Sequence, residues 1–123
     1  MSLLIVRDQT FKIRVSRRDG RSVAYAVRAE TSDRFGPDVS GASDDEAISS
    51  LTRWLEWQSD HAEALGALQE AERAYHRSVA GHVLAGEADR PTAGQARNEC
   101  LEQVAAARAR LDDVRSRRPG ELS

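Results

Sequence analysis

Residues 43–85 read SDDEAISSLTRWLEWQSDHAEALGALQEAERAYHRSVAGHVLA, and this stretch decides the fold. Its start fits a capping box: the Ser43 hydroxyl can accept from the Glu46 N–H, and the Glu46 carboxylate can accept from the Ser43 N–H. Apolar residues then recur mostly at spacings of three and four, the period of a helix. They are Ile48, Leu51, Leu55, Ala62, Leu65, Leu68, Tyr75, Val79 and Val83. The pattern predicts one helix over residues 43–85, with an apolar stripe that needs a partner along its whole length.

A second helix is predicted over residues 92–118. Thr92 and Gln95 fit another capping box, and Pro119-Gly120 ends the pattern. Its apolar seam has heptad spacing, as in a coiled coil: Ala93, Cys100, Val104, Ala107, Leu111 and Val114. The connection between the two helices is short, so they should lie antiparallel, with Leu111 opposite about Gly66.

The first 42 residues predict a small antiparallel sheet. Residues 11–17 and 21–30 alternate between apolar and polar side chains around Asp19-Gly20, a strong signal for a two-residue hairpin turn. We expect the hairpin 11–17/21–30 to have one apolar face that packs on the first half of the long helix. Residues 3–6 suggest another short strand. Residues 31–42 read as a loop, with a brief strand at Val39 and Phe35 beneath the loop.

These elements predict an α+β fold, a small antiparallel sheet packed on a long antiparallel helical hairpin. At 123 residues the length suits a single domain. Residues 1–42 would form its β-sheet part, and residues 43–118 its helical hairpin.

Charge and cysteine content narrow the classes of function. The net charge of −2 gives no general reason to expect nucleic-acid or membrane binding, although residues 1–42 carry eight basic and five acidic residues, a local +3. The single cysteine, Cys100, excludes an internal disulfide and fits a reducing cytosol. Residues 2–6 are too short for a signal or membrane-spanning segment, so we expect a cytoplasmic protein with no membrane partner.

One segment resembles a known family. Gly41, Ser43, Glu46 and Ala47 fit a Gly-x-(Ser/Thr)-x-x-Glu-Ala pattern that opens a helix after a sheet. With the strand-turn-strand before it, the segment 11–57 resembles the HicB antitoxin-type domain, a partial ribonuclease-H-like α+β unit. That resemblance implies an antitoxin-like role. The DNA-binding C-terminal segment usual in that family is replaced here by a helical hairpin. The stretches 54–58 and 71–77 also resemble small bacterial proteins.

No set of residues predicts an enzyme. Glu72 and His76 share a helix face near Tyr75, and would be an acid–base pair, half of a metal site or a surface ion pair. His61 and His82 are too far apart on one helix to share a metal. Cys100 falls on the seam and fits a buried small hydrophobe better than a reactive thiol. We therefore expect no catalytic residues, no cofactor and no metal.

Two surfaces are candidates for binding. The first is formed by residues outside the main apolar stripe of the long helix: Trp54, Trp57 and Leu68. They would mediate a homodimer or contact an unknown protein partner. The alternative is that both tryptophans are buried in the core. The other candidate is a nucleic-acid surface formed by Arg14, Arg17, Arg18 and Arg21 near the hairpin turn, unless these arginines only guard the edge of the sheet. The leading hypothesis is a non-enzymatic cytosolic protein-interaction module that forms a homodimer. The alternative is an antitoxin-like or nucleic-acid-associated regulator.

Overall fold

The computed structural model of the chain describes residues 2–119. It confirms the α+β class, with four strands followed by two long helices. The strands are β1 (Ser2–Val6), β2 (Gln9–Arg18), β3 (Arg21–Arg28) and β4 (Arg34–Gly41). The helices are α1 (Asp44–Leu84) and α2 (Arg90–Ser116), joined through a 3-10 turn at Glu87–Asp89.

The described residues form two compact units. The first contains residues 2–59 with 117–119, and the second contains residues 60–116. The division falls inside α1, between residues 59 and 60. That the chain is a single domain stays a prediction.

The four strands form one antiparallel sheet in the order β1-β2-β3-β4. Two-residue turns join its first three strands. Asp19 and Gly20 have positive φ, 53° and 80°, which confirms the predicted hairpin turn. Arg7 and Asp8 form the other turn with φ of 47° and 70°, although neither is glycine. The expected strand at residues 3–6 is confirmed as β1.

The expected single apolar face of the hairpin is wrong. Ile13 pairs with Ala26, and Arg14 pairs with Tyr25. Directly paired residues lie on the same face of a sheet. The odd-numbered residues of β2 therefore share a face with the even-numbered residues of β3. Tyr25 and its valine neighbours lie on the opposite face, away from Phe11 and Ile13.

The core of the first unit lies between the sheet and the first turns of α1, as predicted. From the sheet it contains mainly Val6, Phe11, Ile13, Ala24, Ala26 and Val39. From α1 it contains Ala47, Leu51, Trp54 and Leu55. The two alanines of β3 are small, so the helix can approach the centre of the sheet closely.

The predicted loop over residues 31–42 is wrong, because residues 34–41 form β4. Its pairing with β3 is interrupted between Ala24 and Ala26 by a bulge that contains Gly36 and Pro37. The bulge interrupts the alternation of apolar and polar residues, so the sequence did not indicate a strand here. Phe35 belongs to β4, and its ring centroid lies 5.3 Å from that of Phe11 and 6.1 Å from that of Trp54.

The start of α1 confirms the cap at Ser43. The Glu46 N–H donates to the Ser43 hydroxyl oxygen over 3.2 Å. The Glu46 carboxylate accepts from the N–H of Ala42 over 3.3 Å, one residue earlier than predicted. Ala47 is buried, and a Cβ at Gly41 would stand 2.7 Å from the Ala47 nitrogen. The family resemblance rests on Gly41, Ser43, Glu46 and Ala47. Each of these residues therefore contributes to the junction of β4 with α1.

In the second unit, α2 runs antiparallel to the later part of α1. The Arg110 guanidinium donates to the Glu63 carboxylate over 3.1 Å, and a Cβ placed on Gly94 would stand 3.5 Å from the His82 ring. This alignment is close to the predicted one. The buried residues are Ala64, Leu68, Val104, Leu111 and Val114, and the last three belong to the predicted seam.

The predicted cap of α2 at Thr92 is wrong. The helix starts at Arg90, because Pro91 fits a first helical turn, where no N–H is needed. The Gln95 side chain donates to Glu99 over 3.3 Å instead of reaching back toward Thr92. The helix ends at Ser116, two residues before the predicted end.

Candidate interaction surface on the sheet

The sheet face opposite α1, called the open face below, is the main candidate surface. No helix of the first unit packs on it, since residues 44–59 of α1 cover the other face. Strand register assigns its residues, because side chains alternate between faces along each strand. They include Leu3, Ile5, Lys12, Arg14, Arg18, Val23, Tyr25, Val27 and Arg34.

One end of the open face is apolar and exposed. Leu3 and Ile5, both on β1, are 68% and 72% exposed. Val23 and Val27 on β3 are buried although no helix of the unit covers this face. Longer neighbours shield Val27, since it pairs with Lys12 on one side and with Arg34 on the other. The exposed apolar area is therefore concentrated on β1.

The rest of the open face is cationic and surrounds one tyrosine. The Arg34 guanidinium carbon lies 4.3 Å from the centroid of the Tyr25 ring. Arg34 also pairs with the Asp38 carboxylate, and Arg18 lies 3.8 Å from that carboxylate. Arg14 lines a shallow open depression of about 390 Å³ beside Ser16, Arg18 and Tyr25.

The two edge strands differ in how they are protected. β4 carries Arg34, Pro37 and Asp38 together with a bulge, and such features discourage the addition of another strand. β1 reads SLLIV and has neither a charge nor a proline. Its outer backbone groups are therefore open to strand pairing.

Three of the four arginines of the predicted nucleic-acid surface lie on the open face. They are Arg14, Arg18 and Arg21, since Arg21 is paired directly with Arg18. Arg17 lies on the helix side, where it donates to the Ser22 hydroxyl over 3.2 Å and lies 4.0 Å from Asp44. The buried Ser22 hydroxyl donates to Asp44 in turn, which ties the hairpin to the start of α1. Arg21 flanks the turn opposite Arg18.

Sequence reasoning missed Lys12 and Arg34 as members of the cationic surface. The two-residue turn at Asp19-Gly20 sets the register of β2 against β3. Counting back from that turn would have assigned Lys12 to the same face as Tyr25. Arg34 had no such signal, since β4 itself was not recognised.

The predicted partner-binding residues are largely covered within the chain. Trp54 is 9% exposed in the core of the first unit, and Leu68 is 9% exposed in the second. A partner cannot use either as an exposed anchor without rearrangement. Trp57 is half-buried, with its ring centroid 6.5 Å from that of Trp54 and 5.6 Å from the Arg118 guanidinium carbon. A role for Trp57 in binding stays a prediction.

The second unit contains the polar candidates Glu72, Tyr75, His76 and Cys100. Tyr75 and His76 have ring centroids 5.9 Å apart, and Glu72 forms no ion pair among the described residues. The nearby Glu70 accepts a hydrogen bond from Arg73, which lowers the pKa of that exposed carboxyl. Cys100 is a half-buried free thiol. Across residues 2–119, no three His, Cys, Asp or Glu side chains are grouped to hold a metal.

No helix in the described part of the chain is long and apolar enough to cross a membrane. Comparisons of the chain with family models, with curated proteins and with solved structures find no match.

Proposed function

We propose that the chain is a non-enzymatic cytosolic protein-interaction module that forms a homodimer through β1. The observation that carries this proposal is the unprotected β1 edge, with Leu3 and Ile5 exposed beside it. Pairing of β1 with β1 of a second copy would satisfy the outer backbone groups and cover both side chains.

The sequence of β1 suits pairing with itself. An antiparallel pair across a two-fold axis centred on Leu4 would place Leu3 of each copy beside Ile5 of the other. The strand carries no charge that would be brought against its own copy. Apolar pairs of this kind stabilise a sheet, whereas like charges directly opposite destabilise it.

The remaining parts of the proposal rest on simpler observations. A cytosolic location is supported by the lone Cys100, which leaves no internal disulfide. A non-enzymatic role is supported by two observations on residues 2–119: Glu72 forms no ion pair there, and no three His, Cys, Asp or Glu side chains are grouped to hold a metal. We do not extend the proposal to an antitoxin role, because Gly41, Ser43, Glu46 and Ala47 are accounted for by the junction of β4 with α1.

Light scattering after size exclusion, at micromolar concentration, tests the dimer. The wild-type mass should be about twice the 13.5 kDa of one chain. The double variant Leu3→Lys/Ile5→Lys should be monomeric, because lysines on an edge strand oppose pairing. The matched control is Val83→Lys/Leu84→Lys, which makes the same chemical change at sites that are 70% and 84% exposed on α1. It should stay dimeric.

A monomeric wild type would overturn the dimer. A dimer that survives the β1 double variant, or that dissociates equally in the α1 control, would overturn the proposed interface. If Trp57→Ala dissociates the dimer while the β1 double variant stays dimeric, the interface lies on α1 and not on β1.

A further inference from the structure

The open face carries a group of positive charges that the proposed β1 dimer does not use. Lys12, Arg14 and Arg18 follow one another along β2, and Arg34 lies across from them on β4. Alternate residues of a strand are about 6.8 Å apart, so Lys12 and Arg14 form a short row of cations. Neither makes an ion pair with any described residue.

Asp38 is the acidic residue that contacts these cations, and it contacts Arg18 and Arg34. The acidic residues of the chain are concentrated elsewhere: residues 43–85 carry eight acidic and three basic residues. The field of the sheet therefore favours an anionic ligand although the net charge of the chain is −2.

The shape of the surface and its aromatic group indicate which class of anionic ligand it would bind. Tyr25 lies in the middle of the cations, and Arg34 stacks on its ring. A sheet face with cations around an aromatic ring matches the surfaces on which single-stranded nucleic acids lie, because phosphates meet cations while bases stack on planar groups.

We propose that the open face binds single-stranded nucleic acid, with Lys12, Arg14 and Arg18 contacting phosphates and the Tyr25–Arg34 pair contacting a base. An acidic peptide would use the cations but would gain little from the Tyr25–Arg34 stack. A duplex would present its phosphates without exposing base faces to the ring. This activity does not depend on the dimer and is measured separately.

Fluorescence anisotropy tests binding with labelled 20-nucleotide single strands of DNA and RNA at 50 and 200 mM salt. Lys12→Gln/Arg14→Gln should weaken binding about tenfold at the lower salt. It should also reduce the slope of log affinity against log salt by about 1.4, since each phosphate contact contributes about 0.7. The matched control, Arg53→Gln/Arg108→Gln, removes two exposed cations of the helices and should change affinity less than about twofold.

A second variant separates stacking from charge. Tyr25→Leu should weaken binding several-fold and leave the salt slope unchanged, because no cation is removed. Circular dichroism of each variant should confirm that it is folded.

Three results would overturn the proposal. The first is no binding at 50 mM salt. The second is an equal loss in the control variant, which would indicate attraction by net charge alone. The third is equally strong binding of another polyanion. If a duplex binds as tightly as the single strand, the face binds polyanions in general. If polyglutamate displaces the labelled strand as effectively as unlabelled strand does, the face is assigned to an acidic protein.

Discussion

Gly36 and Gly41 show how single residues of β4 control its approach to α1. Gly36 has a φ of 85°, and a Cβ there would stand 2.5 Å from the Trp54 ring. Gly41 lacks the Cβ that would meet the Ala47 backbone nitrogen at 2.7 Å. Neither contact can be relieved by a simple rotamer change, because one involves a buried ring and the other involves backbone.

We predict that Gly36→Ala lowers the free energy of unfolding by at least about 2 kcal/mol, from backbone strain and the clash with Trp54 together. Gly66→Ala is the control. Gly66 lies inside α1 with open space around its Cα, so alanine should raise the free energy of unfolding by about 0.5–1 kcal/mol. Urea denaturation measures both. A neutral Gly36→Ala would contradict the packing of Trp54 on β4.

At Ser43 we predict that alanine costs about 1 kcal/mol, because the Glu46 N–H loses its acceptor. Ser49→Ala is a suitable control, since Ser49 is exposed in the interior of α1, where alanine favours helix. Urea midpoints of the two variants should move in opposite directions. An unchanged midpoint for Ser43→Ala would mean that the cap contributes nothing to stability.

Among the elements, the pair formed by α2 and the later part of α1 is packed unevenly. Buried residues occur at Ala64 and Leu68 of α1, and at Val104, Leu111 and Val114 of α2. Nearer the connection, residues 71–100 are half-buried or exposed. Small side chains such as Ala74, Ala93 and Ala96 leave little area to bury there. Stability should therefore be concentrated at the end of the pair that contains Leu111.

Leu111→Ala should lower the free energy of unfolding by about 2–5 kcal/mol, because Leu111 is 3% exposed between the helices. Leu101→Ala makes the same change on the same helix at a site that is 50% exposed, and should cost less than about 1 kcal/mol. Chemical denaturation of both variants gives the comparison. Equal costs would contradict the proposed role of the seam.

On the scale of the whole molecule, the surfaces of the sheet make association part of stability. If β1 pairs with a second copy, unfolding also separates the copies, so the thermal midpoint depends on concentration. For a chain of 123 residues the midpoint should rise by about 3 °C per tenfold increase in concentration. Leu3→Lys/Ile5→Lys should abolish that dependence. Scanning calorimetry over a hundredfold range measures it, and a constant wild-type midpoint would argue for a monomer.

Features that depend on near neighbours or on a fixed period can be predicted from the sequence. The cap at Ser43 needs only a side chain three residues from its partner N–H. The turn at Asp19-Gly20 needs only two residues that tolerate positive φ. The seam of α2 follows from the helical period, which is why Val104, Leu111 and Val114 were identified correctly. These local signals were enough to predict the α+β class and the pairing of the helices.

The residues of the candidate surface could be identified only from the three-dimensional arrangement of the strands. Pro37 and the bulge hid β4, because its pairing is set by β3 and not by its own alternation. Trp54 and Trp57 are three residues apart, yet only the position of Gly36 and Phe35 shows which indole is buried. Arg34 reaches Tyr25 only once β4 lies beside β3. Such contacts join distant parts of the chain, so no local pattern encodes them.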